Sequence, residues 1–342
     1  MLRNLKTKLI SFIVLPVAFL LSSTADILRA EEPSHAMSME TGFYYTVKKG
    51  DTLWSLSKRF SDSPWVWPDL WSENKQLSNP HWIYPGQRIR LYLRKDLTKT
   101  GIPVKAEAPI FQEPVNEMPT YFYPKIDMVG FIKKEAVSPS GTIIKVRDDK
   151  EMISQDDLIF VKPSEGKTLS PGDRFFIYRT FEPLKEKKTI YGIQHYITGI
   201  AQITQVEPDY AMARVTQSYR PTKVHDLLIP YRKRTPHIPL TESVKSLDGA
   251  IIISEERSNY FGDNTIAFID KGVKDGVEQG QMYNVYYEEE TPVDNKGKQI
   301  ARTPITYGTV LVLQTETETA TVLITSSKRD MHPGTRIHVA KN

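Results

Sequence analysis

The chain of 342 residues contains no cysteine. That excludes disulfides, a lipid-modified cysteine at a leader, thiol catalysis and Cys-based zinc sites, and it is compatible with an oxidising compartment. Histidine is sparse. The seven, His35, His81, His195, His225, His237, His332 and His338, never fall at His-x-x-x-His or His-x-His spacing, so no pair is placed to share one metal. A Gly-x-Ser-x-Gly elbow, a P-loop and a dinucleotide fingerprint are all missing. Acidic residues are plentiful, but Glu255-Glu256 and the run Glu288 to Glu290 read as solvated faces at strand ends. They do not read as two carboxylates set across a cleft, which glycoside hydrolysis requires. No catalytic residue, cofactor or metal is assigned, and the chain is expected not to be an enzyme.

Long apolar runs are also scarce. The longest, Leu9 to Leu21, follows Arg3, Lys6 and Lys8 and precedes the small residues Ser22, Ser23, Thr24 and Ala25. This is the layout of a secretory signal peptide over residues 1–30, with cleavage after Ala25 or Ala30. The run falls short of the ~20 residues of a spanning helix, so no stable membrane span is expected after cleavage; retention as an anchor is the alternative. The formal charge is +4, and the leader supplies a net +3 of it through Arg3, Lys6, Lys8 and Arg29 against Asp26, which leaves +1. The basic balance is therefore a property of the leader, and nucleic acid is not an expected partner.

What the chain does have is a distinctive stretch over residues 44–93. Tyr44 to Val47 alternates as a half-buried strand, the chain turns at Gly50, and Asp51 is placed to cap a helix presenting Leu53, Leu56 and Phe60 on one face. Pro64 and Pro68 mark helix starts, and a second helix is expected to end near Asn74. Tyr84-Pro85-Gly86-Gln87 has the proline and glycine positions of a type II turn, and Ile89 and Leu91 alternate with Arg88 and Arg90 as a closing strand. All five tryptophans, Trp54, Trp65, Trp67, Trp71 and Trp82, lie within this stretch. So small a unit has little core, and large aromatics supply buried area. Trp67 and Trp71 are expected in the core, with Trp54 or Trp82 partly exposed.

The segments YTVKKGDTLWSLS and NPHWIYPGQRIRL, at this separation, resemble the LysM family, a βααβ module that binds N-acetylglucosamine-containing glycans, chiefly peptidoglycan and chitin. The tract SDSPWVWPDLW between them is longer and more aromatic than the family's usual middle. The resemblance implies a shallow glycan groove between two loops, with Gly50, Asp51, Thr52 and Leu53 on one side and Asn79, Pro80, Trp82, Ile83 and Tyr84 on the other. Loop amides and carbonyls would bond acetamido groups and hydroxyls, and apolar side chains would take the acetyl methyl and the C–H face of the sugar.

Residues 94–124 lose apolar periodicity and carry Pro103, Pro109, Pro114, Pro119 and Pro124 among lysines and glutamates. They read as an extended spacer that holds the module away from the C-terminal two thirds of the chain. The remainder reads as a duplication. An offset of 108 residues (141 to 249) pairs Gly141 with Gly249, Leu158 with Ile266, Phe160 with Phe268, Gly172 with Gly280 and Tyr178 with Tyr286. After one inserted residue, Gly199 pairs with Gly308 and Thr216 with Thr325. Short β-branched and aromatic strands with frequent turn signals predict two small antiparallel units, barrels or sandwiches of SH3-like style, over 125–235 and 236–342. Phe181 to Gln194 and Glu288 to Ile300 read as protruding, solvated hairpins.

The expected fold class is α+β multidomain: a βααβ module followed by two repeated, mainly antiparallel β-domains. The expected function is non-catalytic binding of peptidoglycan glycan strands in the periplasm or cell envelope, with the β-repeats engaging a further envelope protein. The alternative is an assembly component of a secretion or surface-appendage system acting through those repeats.

Overall fold

The computed structural model describes residues 40–61, 63–91, 119–186, 188–288, 290–292, 299–301 and 304–339. The leader expected over 1–30 and most of the spacer expected over 94–124 lie outside the described residues. Among the described residues no helix is long and apolar enough to cross a membrane.

The N-terminal module is built from β1 (Gly42–Thr46), α1 (Leu53–Ser61), a 3-10 turn at Pro64–Val66, α2 (Trp67–Ser72) and β2 (Arg88–Arg90). Tyr45, Val47, Leu53, Leu56, Leu70, Leu77, Ile89 and Leu91 close its core, the residues that strand and helix periodicity place inward. Two short strands come next, β3 (Thr120–Phe122) and β4 (Phe131–Lys133).

The first β-unit comprises β5 (Gly141–Val146), β6 (Leu158–Pro163), β7 (Arg174–Thr180), β8 (Leu184–Glu186), the long β9 (Thr189–Val206), β10 (Ala211–Ser218) and β11 (Leu227–Pro230). Its strands run in the order β10-β6-β5-β11-β7-β9, and pairing of β10 with β9 joins the ends into a ring; β4 extends the sheet from β9. After β12 (His237–Pro239) come β13 (Asp248–Ser254), β14 (Ile266–Ile269), β15 (Met282–Tyr287), β16 (Glu290–Pro292), β17 (Gln299–Ala301), β18 (Ile305–Thr315), β19 (Ala320–Ser327) and β20 (Arg336–His338). Six of these close a barrel in the order β13-β14-β19-β18-β15-β20. Each ring is filled by the side chains that alternate inward, Ile143, Ile159, Ile177 and Val215 in the first and Ile251, Ala267, Val285 and Ile324 in the second.

The reading of 94–124 as a spacer that keeps the module apart fails at its C-terminal end. Thr120–Phe122 is a strand, and it pairs antiparallel with β1 of the module, Phe43 opposite Tyr121. On its other side it pairs with β12, Tyr121 opposite Ile238. One four-stranded sheet, β12-β3-β1-β2, therefore runs from the module to the segment that enters the second barrel. Beneath it, Tyr121, Tyr123, Ile126, Val129, Ile238 and Leu240 bury the outward leucines Leu311, Leu313 and Leu323 of that barrel. A strand whose one face is apolar gains more by burying it than by staying extended in water.

Two further expectations are corrected. The hairpin 181–194 is not a free loop: Leu184 and Tyr191 pack with Ile132 against Ile252 and Phe268 of the second barrel, and Gln194 is buried at its base. Nor does Glu255 face solvent. Its carboxylate accepts hydrogen bonds from Arg220 Nη2 at 2.7 Å and from the Gly130 amide at 2.6 Å, and it is buried between the two β-units. Glu256 does stay exposed, 2.9 Å from Arg220 Nε. Burial of a charge at a strand end depends on which neighbour lies over it, and no local pattern reports that.

Candidate functional site

Two loops of the N-terminal module carry the residues expected to bind. The first leaves β1 at Val47. Gly50 has φ +97°, a left-handed conformation that suits glycine, and the Asp51 carboxylate accepts the Lys48 amide at 2.7 Å, closing the turn from below. Asp51 is thus a turn residue and not the helix cap. The cap is Thr52: its hydroxyl accepts the Ser55 amide at 3.0 Å while the Ser55 hydroxyl accepts the Thr52 amide at 3.0 Å, a reciprocal box that satisfies two donors at the start of α1. The Tyr45 phenol is pushed up by burial first and by the Asp51 carboxylate second.

The second loop follows α2. The Asn79 side chain accepts the His81 amide at 2.9 Å and the Asn79 carbonyl accepts the Trp82 amide at 3.2 Å. Tyr84 begins the next turn, its carbonyl accepting the Gln87 amide at 3.0 Å, with Gly86 at φ +87°. The two loops are tied together at Val47, whose amide donates to the Gln87 carbonyl and whose carbonyl accepts the Gly86 amide, both at 2.8 Å. The turn that carries Tyr84 is thereby fixed beside the strand end that leads into Gly50.

Side chains divide on exposure. Gly50, Thr52, Trp82 and Tyr84 are exposed, Trp82 by 67% and Tyr84 by 63%, and Asp51, Asn79 and Pro80 are partly so. Leu53 is 2% exposed and belongs to the core, and half-buried Ile83 packs on the same cluster. These two support the loops from beneath, so the expectation that Leu53 offers its side chain to a sugar is corrected. α1 presents Leu53 and Leu56 inward on successive turns, which turns Trp54 outward.

The tryptophans divide differently from the expectation in one case. Trp67 packs on the core as expected, and Trp54 and Trp82 are exposed. Trp71 is more than a third exposed, held at the surface by an indole hydrogen bond to the Leu77 carbonyl at 2.8 Å. Trp54 and Trp65 meet edge to face at 4.7 Å, and both are open to solvent. Sequence reasoning missed the residue that positions the second loop. Asn74 is fully buried, and its side chain bonds the Leu70 carbonyl and both the amide and carbonyl of Arg90. An asparagine at a helix end is the one local hint of this clamp.

The loops offer backbone donors and acceptors, neutral side-chain amides and hydroxyls, and aromatic faces. Among the described residues there is no group of three His, Cys, Asp or Glu able to hold a metal. Such a surface suits polar, uncharged rings with C–H faces. The LysM domain family model matches residues 45–91, and the chain carries a LysM domain. A comparison with curated proteins finds no match.

Proposed function

We propose that the chain is a non-catalytic peptidoglycan-binding protein of the bacterial cell envelope. The LysM domain takes N-acetylglucosamine-containing glycan between its two loops, and the β-units are the load it anchors. The observation that carries this reading is the family match over the stretch whose loops meet at Val47, with Trp82 and Tyr84 open to solvent. The two β-rings are read as copies of one SH3-like unit. What supports this is that strands at the 108- and 109-residue offsets occupy the same places in both ring orders. Export by the N-terminal leader, residence in the periplasm and a further envelope partner of the β-units belong to the same proposal.

A second reading, an assembly component acting through its β-units, draws on the continuous sheet β12-β3-β1-β2. That sheet would pass a pull on the glycan directly to the second barrel. The experiment is co-sedimentation of the full chain with isolated sacculi. Binding that is lost in the double variant Asp51→Asn, Trp82→Ala and retained by Ile144→Glu supports the first reading. Undiminished pelleting of the double variant would move binding out of the LysM domain.

A further inference from the structure

The two β-units have equivalent outer faces, and only one of them is covered. Ile252 and Phe268 point out of the second barrel and are buried by the first unit's hairpin, through Leu184 and Tyr191, together with Ile132 of β4. Their counterparts at an offset of 108 are Ile144 and Phe160. Neighbouring Ile143 and Ile159 point into the first ring, as Ile251 and Ala267 do in the second, so strand alternation puts Ile144 and Phe160 on the outer face too. Ile144 is 44% exposed where Ile252 is 7% exposed. Phe160 is half-buried, with Tyr210 edge-on at 5.6 Å and Met212 opposite it in the next strand.

Elsewhere on the outer faces, chemistry follows cover. Leu311, Leu313 and Leu323 of the second barrel lie under the β3 and β12 segment. Their counterparts at an offset of 109 are Gln202, Thr204 and Arg214, polar and at least partly solvated. Where cover is lost the side chains are polar, except at Ile144 and Phe160. Those two keep the character of a covered site. The hairpin that would cover them also has its counterpart. At an offset of 109, Pro183, Leu184 and Tyr191 correspond to Pro292, Val293 and Ile300, in the hairpin formed by β16 and β17.

We propose that the outer face of the first β-unit, centred on Ile144 and Phe160, receives the 290–301 hairpin of a second copy of this chain. The contact repeats between copies the packing that the 181–194 hairpin makes within one. Donor and acceptor surfaces lie on different units, so the contact is heterologous and continues head to tail. It would set several LysM domains in a row, where each bound glycan site raises the effective concentration of the next.

The absence of native cysteine makes the test direct. Full-length Ile144→Cys and Ile300→Cys proteins, each carrying one thiol, are mixed under mild oxidation and run on a non-reducing gel. A mixed dimer well above the yield from Ile300→Cys with the control Tyr260→Cys is expected. So is a ladder from the chain carrying both Ile144→Cys and Ile300→Cys. Sedimentation velocity should show concentration-dependent association of the unaltered chain, weakened at least tenfold in Ile144→Glu with its thermal transition unchanged. A monomer at every concentration overturns the proposal. So does a mixed dimer no more abundant than the control. Association that depends on Ile144 without any cross-link to position 300 would assign the face to another occupant and overturns it equally.

Discussion

Arg220 of the first β-unit and Glu255 of the second form an ion pair at 2.7 Å with both side chains buried. The guanidinium also donates to the Met128 and Ile197 carbonyls and lies over the Tyr196 ring at 4.2 Å. Burial pushes the Glu255 carboxyl up, and the Arg220 charge opposes that shift. The pair therefore joins three elements, β9 and its neighbours, the turn after β13, and the strand that leads from the LysM sheet.

Arg220→Met leaves a buried carboxylate with the Gly130 amide as its remaining partner, and it should cost about 3–5 kcal/mol of stability. Glu255→Gln keeps an acceptor for that amide and should cost clearly less. Equilibrium urea denaturation measures both. Equal and small losses would mean that the seam carries little of the stability.

His195 is buried between Phe131, stacked at 4.6 Å, and Tyr178 at 5.5 Å. Its Nε2 accepts the Val137 amide at 3.0 Å and its Nδ1 faces the Ile193 carbonyl at 3.0 Å, so the ring is neutral with the proton on Nδ1. Burial, and then the Lys133 charge, hold it down to about 4, against the pull of the Ile193 carbonyl. Below the unfolded value of ~6.5 the unfolded chain takes a proton that the folded chain refuses. This contribution is complete above pH ~6.5 and is lost as pH falls toward 4, a change of about 3 kcal/mol. Denaturation midpoints between pH 7.5 and 4.5 should fall, and His195→Gln should flatten the slope.

Thr52→Ala removes one half of the cap on α1 and should destabilise the LysM domain by ~1 kcal/mol. Asp51→Asn, which keeps an acceptor for the Lys48 amide, should change stability less. Reversal of that order would restore Asp51 as the cap. Thermal melts followed by tryptophan fluorescence report on this domain alone, because every tryptophan lies within it.

Trp82→Ala takes away an exposed ring that supports no core contact in the module's buried cluster. Its melting temperature should stay put, while glycan binding weakens about tenfold, or ~1.4 kcal/mol. Titration with a chitin oligomer measures the affinity. An unchanged affinity would remove Trp82 from the site.

The LysM domain is legible in the sequence because its signals are local. Period-two strands, the Gly50 and Gly86 turns and the helix face of Leu53 and Leu56 each need only a few neighbouring residues. The cap is not legible to the residue, because Asp51 and Thr52 are both good acceptors one position apart and only the path of the backbone chooses between them. Nor is the place of Trp71, because area alone does not say which tryptophan a small core has room for.

By itself, the sequence determined the LysM domain, its two loops, and the strands of both β-units with their inward faces, since turn chemistry and side-chain period act over short range. Tertiary structure alone decided that Thr120–Phe122 adds to the LysM sheet, that Glu255 is buried against Arg220, and that one hairpin covers Ile252 while Ile144 stays open. These contacts join residues far apart in the chain. Their free energy comes from excluding water between surfaces that no local pattern brings together.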